Sequence, residues 1–324
     1  LPKMSKKGRG LFGFFNTPAG RKLAFGGSCA LAVSLFSANY LPHTIFIKNY
    51  REFVQCYRSG VERQVPEKLL KRVEKAFDLL DVNSMERKII KPFIVYGFDT
   101  FQAGSTKSRF GGILGVPWNY TYETSKDVDH QEVRFRNEMI PWSSQAGKLL
   151  EDALVLKEDE QIFAICKSIL QLQTQSVLLN SIYPSASFIF IYSVANYLNQ
   201  RMNLYARPLS LRLVMYGILG LFGVGTWSFA KDFTQVQYDA RIDKRLCELG
   251  PEYIEAGVRY YDKILKKNMA VRELKGDDFY TAKGNENYFL RQKSLPLTIR
   301  KSYFEMRLEE LKKHLDEKSS QVTS

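Results

Sequence analysis

Residues 213–230 read LVMYGILGLFGVGTWSFA, eighteen residues without Asp, Glu, Lys or Arg. A helix of about 20 apolar residues crosses the hydrocarbon core of a bilayer. Gly217, Gly220, Gly223 and Gly225 suit close packing against other helices in lipid, where small side chains let backbones approach. Two more stretches of the 324-residue chain lack charge. One runs from Leu23 to Ile47, rich in Gly, Ser and Ala, with Pro42 near its far end. The other runs from Ser168 to Gln200; its strongest part, Val177 to Leu198, is rich in Ser, Asn and Tyr and contains Pro184, which should kink a helix. Each stretch has a core-helix reading, but three spans together are the better one.

The remaining charge supports that reading. The chain carries 47 Lys and Arg against 34 Asp and Glu, a net charge of +13 and a pI near 9.4. Such a balance ordinarily points to nucleic acid or an anionic surface. Here it is concentrated. Lys3, Lys6, Lys7, Arg9, Arg21 and Lys22 fall within residues 1–22, which hold no acid, and Arg201, Arg207 and Arg212 fall between the second and third apolar stretches. The rest is close to balanced. Under the positive-inside rule, the N-terminus and the 199–212 loop share one side and the two larger polar regions share the other. The acid-free N-terminus also reads as a mitochondrial targeting segment, with a secretory signal as the alternative. The expected organisation is a basic segment (1–22), transmembrane helix 1 (23–47), a soluble α+β region (48–175), helix 2 (176–198), a short basic loop (199–212), helix 3 (213–230) and a C-terminal helical region (231–324). The fold class is thus an α+β membrane protein, mostly helical with a small β-sheet and about three transmembrane helices.

Within the soluble regions, Leu69, Leu70, Val73, Phe77 and Leu80 recur at helical spacing behind Pro66. IIKPFIVYGFDTF and GGILGVPWNYTY, between residues 89 and 122, are β-branched and aromatic and predict two or three strands. Two amphipathic helices follow, on Ala146, Leu149, Leu150, Ala153 and Leu154 and on Ile162, Phe163, Ile165, Ile169 and Leu172. After the third span, Phe233–Leu249 and Glu252–Leu265 predict helices broken at Gly250-Pro251. A last charged helix, Tyr303–Lys318, should be solvated.

Several segments resemble the transmembrane protein 177 family. AGVRYYDKILKKNMAVRELKG is followed by a Tyr-Thr-x-x-Gly-Asn linker (Tyr280, Thr281, Gly284, Asn285) and a Leu-Pro-x-Thr-x-Arg turn (Leu295, Pro296, Thr298, Arg300). Gly115-Val116-Pro117, Ala146-Gly147 after Ser144, Phe163-Ala164 and the GGSCALAV run also agree; residues 48–88 match least. The resemblance implies a multi-pass protein of the mitochondrial inner membrane with an auxiliary role in cytochrome c oxidase biogenesis. Its partners would be newly inserted subunit 2 and that subunit's assembly chaperone, in a lipid bilayer. No cofactor is expected, and without a clustered basic-aromatic surface the positive charge reads as a topology signal, with no nucleic-acid partner expected.

The order of elements is also similar to that of HtpX-type membrane zinc endopeptidases: strand, Asn-Ala-Phe-like turn (here Asp99–Ala103), strand, acidic helix start, two spans and an ExxxD-type motif. That likeness implies a degenerate zincin-like, pseudo-metallopeptidase domain. HExxH needs two His one turn apart on a metal and a Glu to activate water. Lys167, Ser168 and Gln171 stand at those positions, and Asp239 to Asp243 has the ExxxD spacing. A Lys cannot join zinc while protonated, so on this likeness Lys167 would face Asp239 and a Lys–Asp pair would replace the metal. His43, His130 and His314 have no ligand spacing, and Cys29, Cys56, Cys166 and Cys247 form no CxxC pair. Cys166 and Cys247 read as buried, inert thiols. Asn119-Tyr120-Thr121 matches a glycosylation acceptor. No P-loop or nucleophile elbow occurs. A non-catalytic membrane scaffold is the favoured function. The alternative is a membrane-embedded hydrolase using Ser168 with Lys167 or Asp239, although adjacent helical side chains diverge by about 100°.

Overall fold

Thr17 and Pro18 start the first long helix. The Thr17 hydroxyl accepts the Gly20 amide at 3.1 Å, and Pro18 begins the helix, where a missing N–H costs nothing. The computed structural model describes residue 14 and residues 17–135, 138–276, 278–288 and 290–322. Lys3, Lys6, Lys7 and Arg9 of the basic segment lie outside the described residues; Arg21 and Lys22 belong to the first helix.

In chain order the helices are α1 (Pro18–Tyr40), α2 (Ile47–Val54), α3 (Glu67–Leu79), α4 (Ser84–Ile89), α5 (Gln145–Leu154) and α6 (Glu158–Leu172). Then come α7 (Ser176–Arg201), α8 (Leu209–Cys247), α9 (Pro251–Lys275) and α10 (Leu297–Val322). The strands are β1 (Tyr57–Arg58), β2 (Val61–Glu62), β3 (Ile90–Val95), β4 (Phe101–Gly104), β5 (Gly112–Pro117), β6 (Arg134–Phe135) and β7 (Glu138–Met139). The chain is an α+β membrane protein, about two thirds helical. It divides into two units, residues 1–41 with 177–231 and residues 42–176 with 232–324.

The first unit contains α1, α7 and the first part of α8, which among the described residues are the three helices long and apolar enough to cross a membrane. At most 22% of any span's most apolar window is buried in protein. Such an apolar exterior suits lipid, where backbone groups must be satisfied within the helices. The polar residues of α7 join these helices. Asn39 Nδ2 donates to Ser181 Oγ at 3.1 Å, Ser185 Oγ to the Ala32 carbonyl, Ser187 Oγ to the Gly223 carbonyl at 2.7 Å, and Asn199 Nδ2 to the Tyr216 hydroxyl at 2.8 Å. Gly223 permits the approach, since a Cβ there would sit 2.7 Å from Ile191. Pro184 is accommodated within α7.

The second unit is built around α6. Its Ile162, Phe163, Ala164, Ile165, Cys166, Ser168 and Ile169 are fully buried. One side meets Val73, Ala76 and Phe77 of α3 and the sheet; another meets Tyr260, Tyr261 and Phe304. The sheet order is β3-β5-β4, with β5 parallel to β3 and antiparallel to β4. Gly115 of β5 pairs with both Phe93 and Phe101. A Cβ there would meet Val95 Cβ at 2.7 Å and Phe101 Cβ at 2.9 Å, so the central strand needs glycine at that point.

The first span is Pro18–Tyr40 instead of 23–47, with Ile47 opening α2, and the Glu252–Leu265 helix continues to Lys275. Four further expectations change. Phe101–Ala103, placed in a turn by the endopeptidase likeness although Phe101 closes a β-branched run, form β4 through antiparallel pairing with β5, the third of the two or three strands expected. The third span and the expected Phe233–Leu249 helix are one 39-residue helix, because nothing at Lys231 or Asp232 breaks a helical backbone. Leu70, placed on the buried face of α3, is 39% exposed, and Ala76 takes its place inside. The last helix begins six residues earlier than expected and is not wholly solvated: Phe304 is fully buried and Arg300 nearly so.

Gly115→Ala should cost roughly 1–3 kcal/mol through overpacking, read as a lowered thermal midpoint of the full chain in detergent. Gly220→Ala, where a Cβ would meet nothing within 4 Å, is the control and should leave the midpoint in place.

Candidate functional site

Polar side chains that interrupt the apolar α6 mark the candidate site. Ser168 is fully buried; its hydroxyl lies 2.8 Å from Thr100 Oγ1 and 3.1 Å from the Ala164 carbonyl. Lys167 donates to the Tyr260 hydroxyl at 3.4 Å, its ammonium 5.2 Å from that ring's centroid. Gln171 is half-buried, one turn further along. Lys167 does not pair with Asp239 as expected, because another cation has taken the carboxylates. Arg300 of α10 donates through Nε to Asp243 Oδ2 at 2.7 Å and through Nη2 to Asp243 Oδ1 at 2.5 Å. Its Nη1 lies 3.6 Å from Asp239 Oδ1. The two-pronged contact uses the fixed fork of the guanidinium. Tyr261 of α9 donates to Asp243 Oδ1 at 3.1 Å. Burial raises the Asp243 carboxyl above its ordinary range, with Arg300 and Tyr261 opposing. Burial likewise pushes the Tyr261 phenol well up.

The other motif residues complete a clasp around this pair. Asp239 Oδ2 accepts the Leu295 amide at 3.0 Å, while Gln235 donates to Oδ1 at 2.9 Å. The Pro296 carbonyl accepts the Arg300 amide at 3.0 Å in the first turn of α10. Asn285 holds Thr298 twice, accepting its amide at 3.0 Å and donating to its hydroxyl at 3.0 Å. Thr281 closes the preceding turn by accepting the Asn285 amide on Oγ1 at 3.2 Å. Gly284 (φ +80°) lies against α9, where a Cβ would sit 2.4 Å from the Leu265 carbonyl oxygen, and Asn268 donates to its carbonyl at 2.8 Å. The Tyr280 carbonyl accepts from Arg272 at 2.6 Å. Pro117 ends β5 and leads into the Trp118–Thr121 turn. Ser144, Ala146 and Gly147 form the start of α5, where Ser144 Oγ accepts the Gly147 amide at 3.0 Å.

A second set of polar groups includes Asp99 and Glu160, which the sequence placed in a turn and at an acidic helix start without a task. Glu160, fully buried in the first turn of α6, accepts the Lys157 amide at 2.9 Å and faces Arg259 at 3.2 Å and Lys263 at 3.1 Å. Arg72 donates to the Tyr120 carbonyl at 3.0 Å and to Gln161. Lys267 pairs with Asp99. Surrounding protein opposes the Asp99 charge, but the Lys267 ammonium, with Lys167 behind it, holds the carboxyl below its ordinary value. More than half of the Asp99 side chain is accessible, so solvent screens the pair and limits its worth to a surface contact's. The available signal was Glu160 and Gln161 opening an otherwise apolar helix. The Asn119 acceptor site is buried, and its Nδ2 donates to the Leu154 carbonyl at 2.9 Å. Among the described residues no three His, Cys, Asp or Glu side chains gather as a metal-binding group.

Three apolar spans together with an α+β unit whose central helix is pinned by ion pairs define a multi-pass integral membrane protein. The model of the transmembrane protein 177 family matches residues 52–292, and the chain belongs to that family. Transmembrane protein 177 of Rattus norvegicus is 28% identical over 228 residues, covering 69% of this chain and 73% of that protein. The Xenopus laevis protein is 28% identical over 280 residues (83% and 89%), and the Homo sapiens protein 25% identical over 280 residues (85% and 88%). No solved structure matches, and nothing in these comparisons shows the likeness to HtpX-type endopeptidases.

Arg300→Met should destabilise the chain by roughly 3–5 kcal/mol, since it leaves Asp243 buried without its cation. Arg300→Met with Asp243→Leu should recover part of that loss, as unfolding of the four proteins in a double-mutant cycle will read. Burial pushes the Cys166 thiol up to about 12 and the Cys247 thiol up to about 11. Both should resist iodoacetamide at neutral pH in the folded protein and react once it is denatured, measured by peptide mass spectrometry.

Proposed function

We propose that the protein is a non-catalytic scaffold of the mitochondrial inner membrane, one that stabilises newly inserted cytochrome c oxidase subunit 2 and its assembly chaperone. The carrying observation is the state of the α6 and α8 polar groups. The Ser168 hydroxyl is fully buried beside Thr100, Lys167 is engaged with Tyr260, and Asp239 and Asp243 are held by Arg300. A nucleophile needs a base within hydrogen-bond reach and room for substrate. These groups instead join helices. The hydrolase reading therefore draws no support from their geometry.

The scaffold reading draws further support from the first unit. Gly223 is used internally against α7, but at Gly217, Gly220 and Gly225 a Cβ would meet nothing within 4 Å. Such small residues let a partner's transmembrane helix approach the α8 backbone. The assembly role and the mitochondrial address rest on the family resemblance and the basic N-terminal residues.

A tagged full-length chain, recovered from mitochondria after pulse labelling, should co-purify newly made subunit 2 with its chaperone, and loss of the protein should shorten the lifetime of unassembled subunit 2. Recovery of unrelated complexes alone, with that lifetime unchanged, would sink the proposal. Ser168→Ala should retain the activity within about twofold if the chain folds normally; complete loss in a folded variant would favour the hydrolase.

A further inference from the structure

The first unit contains a cleft of about 770 Å³ between α1, α7 and the start of α8, within the size range of small-ligand sites. Its two ends differ in chemistry. Arg21 in the first turn of α1, Asn199 in the last turn of α7 and Arg212 in the first turn of α8 share one end with Tyr205. Phe25, Phe188 and Ile191 line the cleft toward the middle of the spans. From Arg21 to Ser28, both lining residues, the helix rises about 10 Å at 1.5 Å per residue.

The polar end gathers like charge. The guanidinium carbons of Arg21 and Arg212 lie 5.8 and 5.3 Å from the centroid of the same Tyr205 ring. Residues 1–41 and 177–231 contain Lys and Arg but no Asp or Glu, so the unit is basic throughout. Asn199 is 3% exposed, and its Oδ1 has no hydrogen-bond partner although its Nδ2 is satisfied by Tyr216. A buried carbonyl oxygen left without a donor is costly. The complementary ligand therefore supplies an anion for two arginines, a hydroxyl or amine donor for Asn199 and an apolar chain for the cleft.

We propose that this cleft binds an anionic phospholipid with a hydrogen-bond donor in its headgroup, the phosphate between Arg21 and Arg212 and an acyl chain between α1, α7 and α8. Basic pockets between membrane helices recognise such headgroups. An inorganic phosphate would satisfy the arginines and leave the apolar part of the cleft unfilled. The site lies at the basic end of the three helices, where the charge pattern places the interface, and it is independent of the assembly role proposed above.

The test uses the full-length protein in a neutral detergent, with retained lipid counted by native mass spectrometry. Equal amounts of dioleoyl phosphatidylglycerol and dioleoyl phosphatidylcholine are offered, with and without millimolar inorganic phosphate. Phosphatidylglycerol should be retained in preference. Arg21→Gln and Arg212→Gln should each weaken retention roughly fivefold, one surface cation's worth, and inorganic phosphate should not displace it. Arg21 is exposed, so Arg21→Gln tests the charge even if Arg212→Gln does not fold. Ser28→Leu, which narrows the cleft below the arginines, should lower retention with both cations in place. Equal retention of the two lipids, indifference to Arg21→Gln and Ser28→Leu, or displacement by inorganic phosphate alone would each overturn the proposal.

Discussion

Arg300 sits between two carboxylates of the same helix, and the second unit closes around that contact. Asp239 and Asp243 lie one turn apart on α8, both almost fully buried. Two like charges at that spacing repel each other, and burial makes both costly without a cation. Arg300 brings the cation from α10, and Tyr261 adds a donor from α9. Three helices are thus bound at one point. Three contacts between α9 and α10 help to place Arg300 there: the Gly284 turn lies on α9, Asn285 fixes Thr298, and Asp239 receives the Leu295 amide. The residues that carry the family resemblance in this region form a joint.

Next to that joint lies an aromatic contact of a different kind. Phe163 of α6 meets Tyr260, Tyr261 and Phe304 with ring centroids 5.2–5.8 Å apart, mostly edge to face or tilted. Gly257 gives them room, since a Cβ there would sit 2.8 Å from both Phe163 and Phe304. Edge contacts of this sort add to plain burial. Here apolar and charged contacts converge on neighbouring residues of α9 and α10. In the first unit, by contrast, Ser and Asn side chains tie the helices, because lipid outside gives apolar association no advantage over apolar solvation. One chain therefore uses two kinds of helix contact, each suited to its surroundings.

Much of this was legible in the sequence. The three uncharged stretches marked the spans, because a charged side chain in hydrocarbon is costly. The β-branched runs around Phe93 and Ile113 marked strands. Helix ends were harder. Lys231 and Asp232 end the apolar stretch yet leave the α8 backbone unbroken, since charge marks where lipid stops and has no bearing on helical hydrogen bonding. β4 was only partly legible: Phe101 closes a β-branched run, but Gln102–Gly104 carry no strand pattern of their own, and pairing with β5 makes them a strand. At the site, the resemblance pointed to Arg300 and Asn285, but not to their task. Arg300 meets a carboxylate 57 residues earlier in the chain, and no local pattern signals a partner that far away. Lys167 opposite Asp239 was a reasonable expectation from element order; Arg300, a better-shaped cation for a carboxylate, occupies that role.

The second unit is made of two stretches of chain separated by the second and third membrane helices. Residue pairs that join its halves are far apart in sequence: Glu160 meets Arg259 across 99 residues and Asp99 meets Lys267 across 168. Synthesis delivers α6, with its buried face and its buried Glu160, well before α9 and α10 exist to cover them. The unit's core can close only after the hairpin of α7 and α8 has been made and the chain has continued through Arg300. Closure of the polar unit thus reports that the chain has been delivered as far as α10, a timing relation written into the order of the elements.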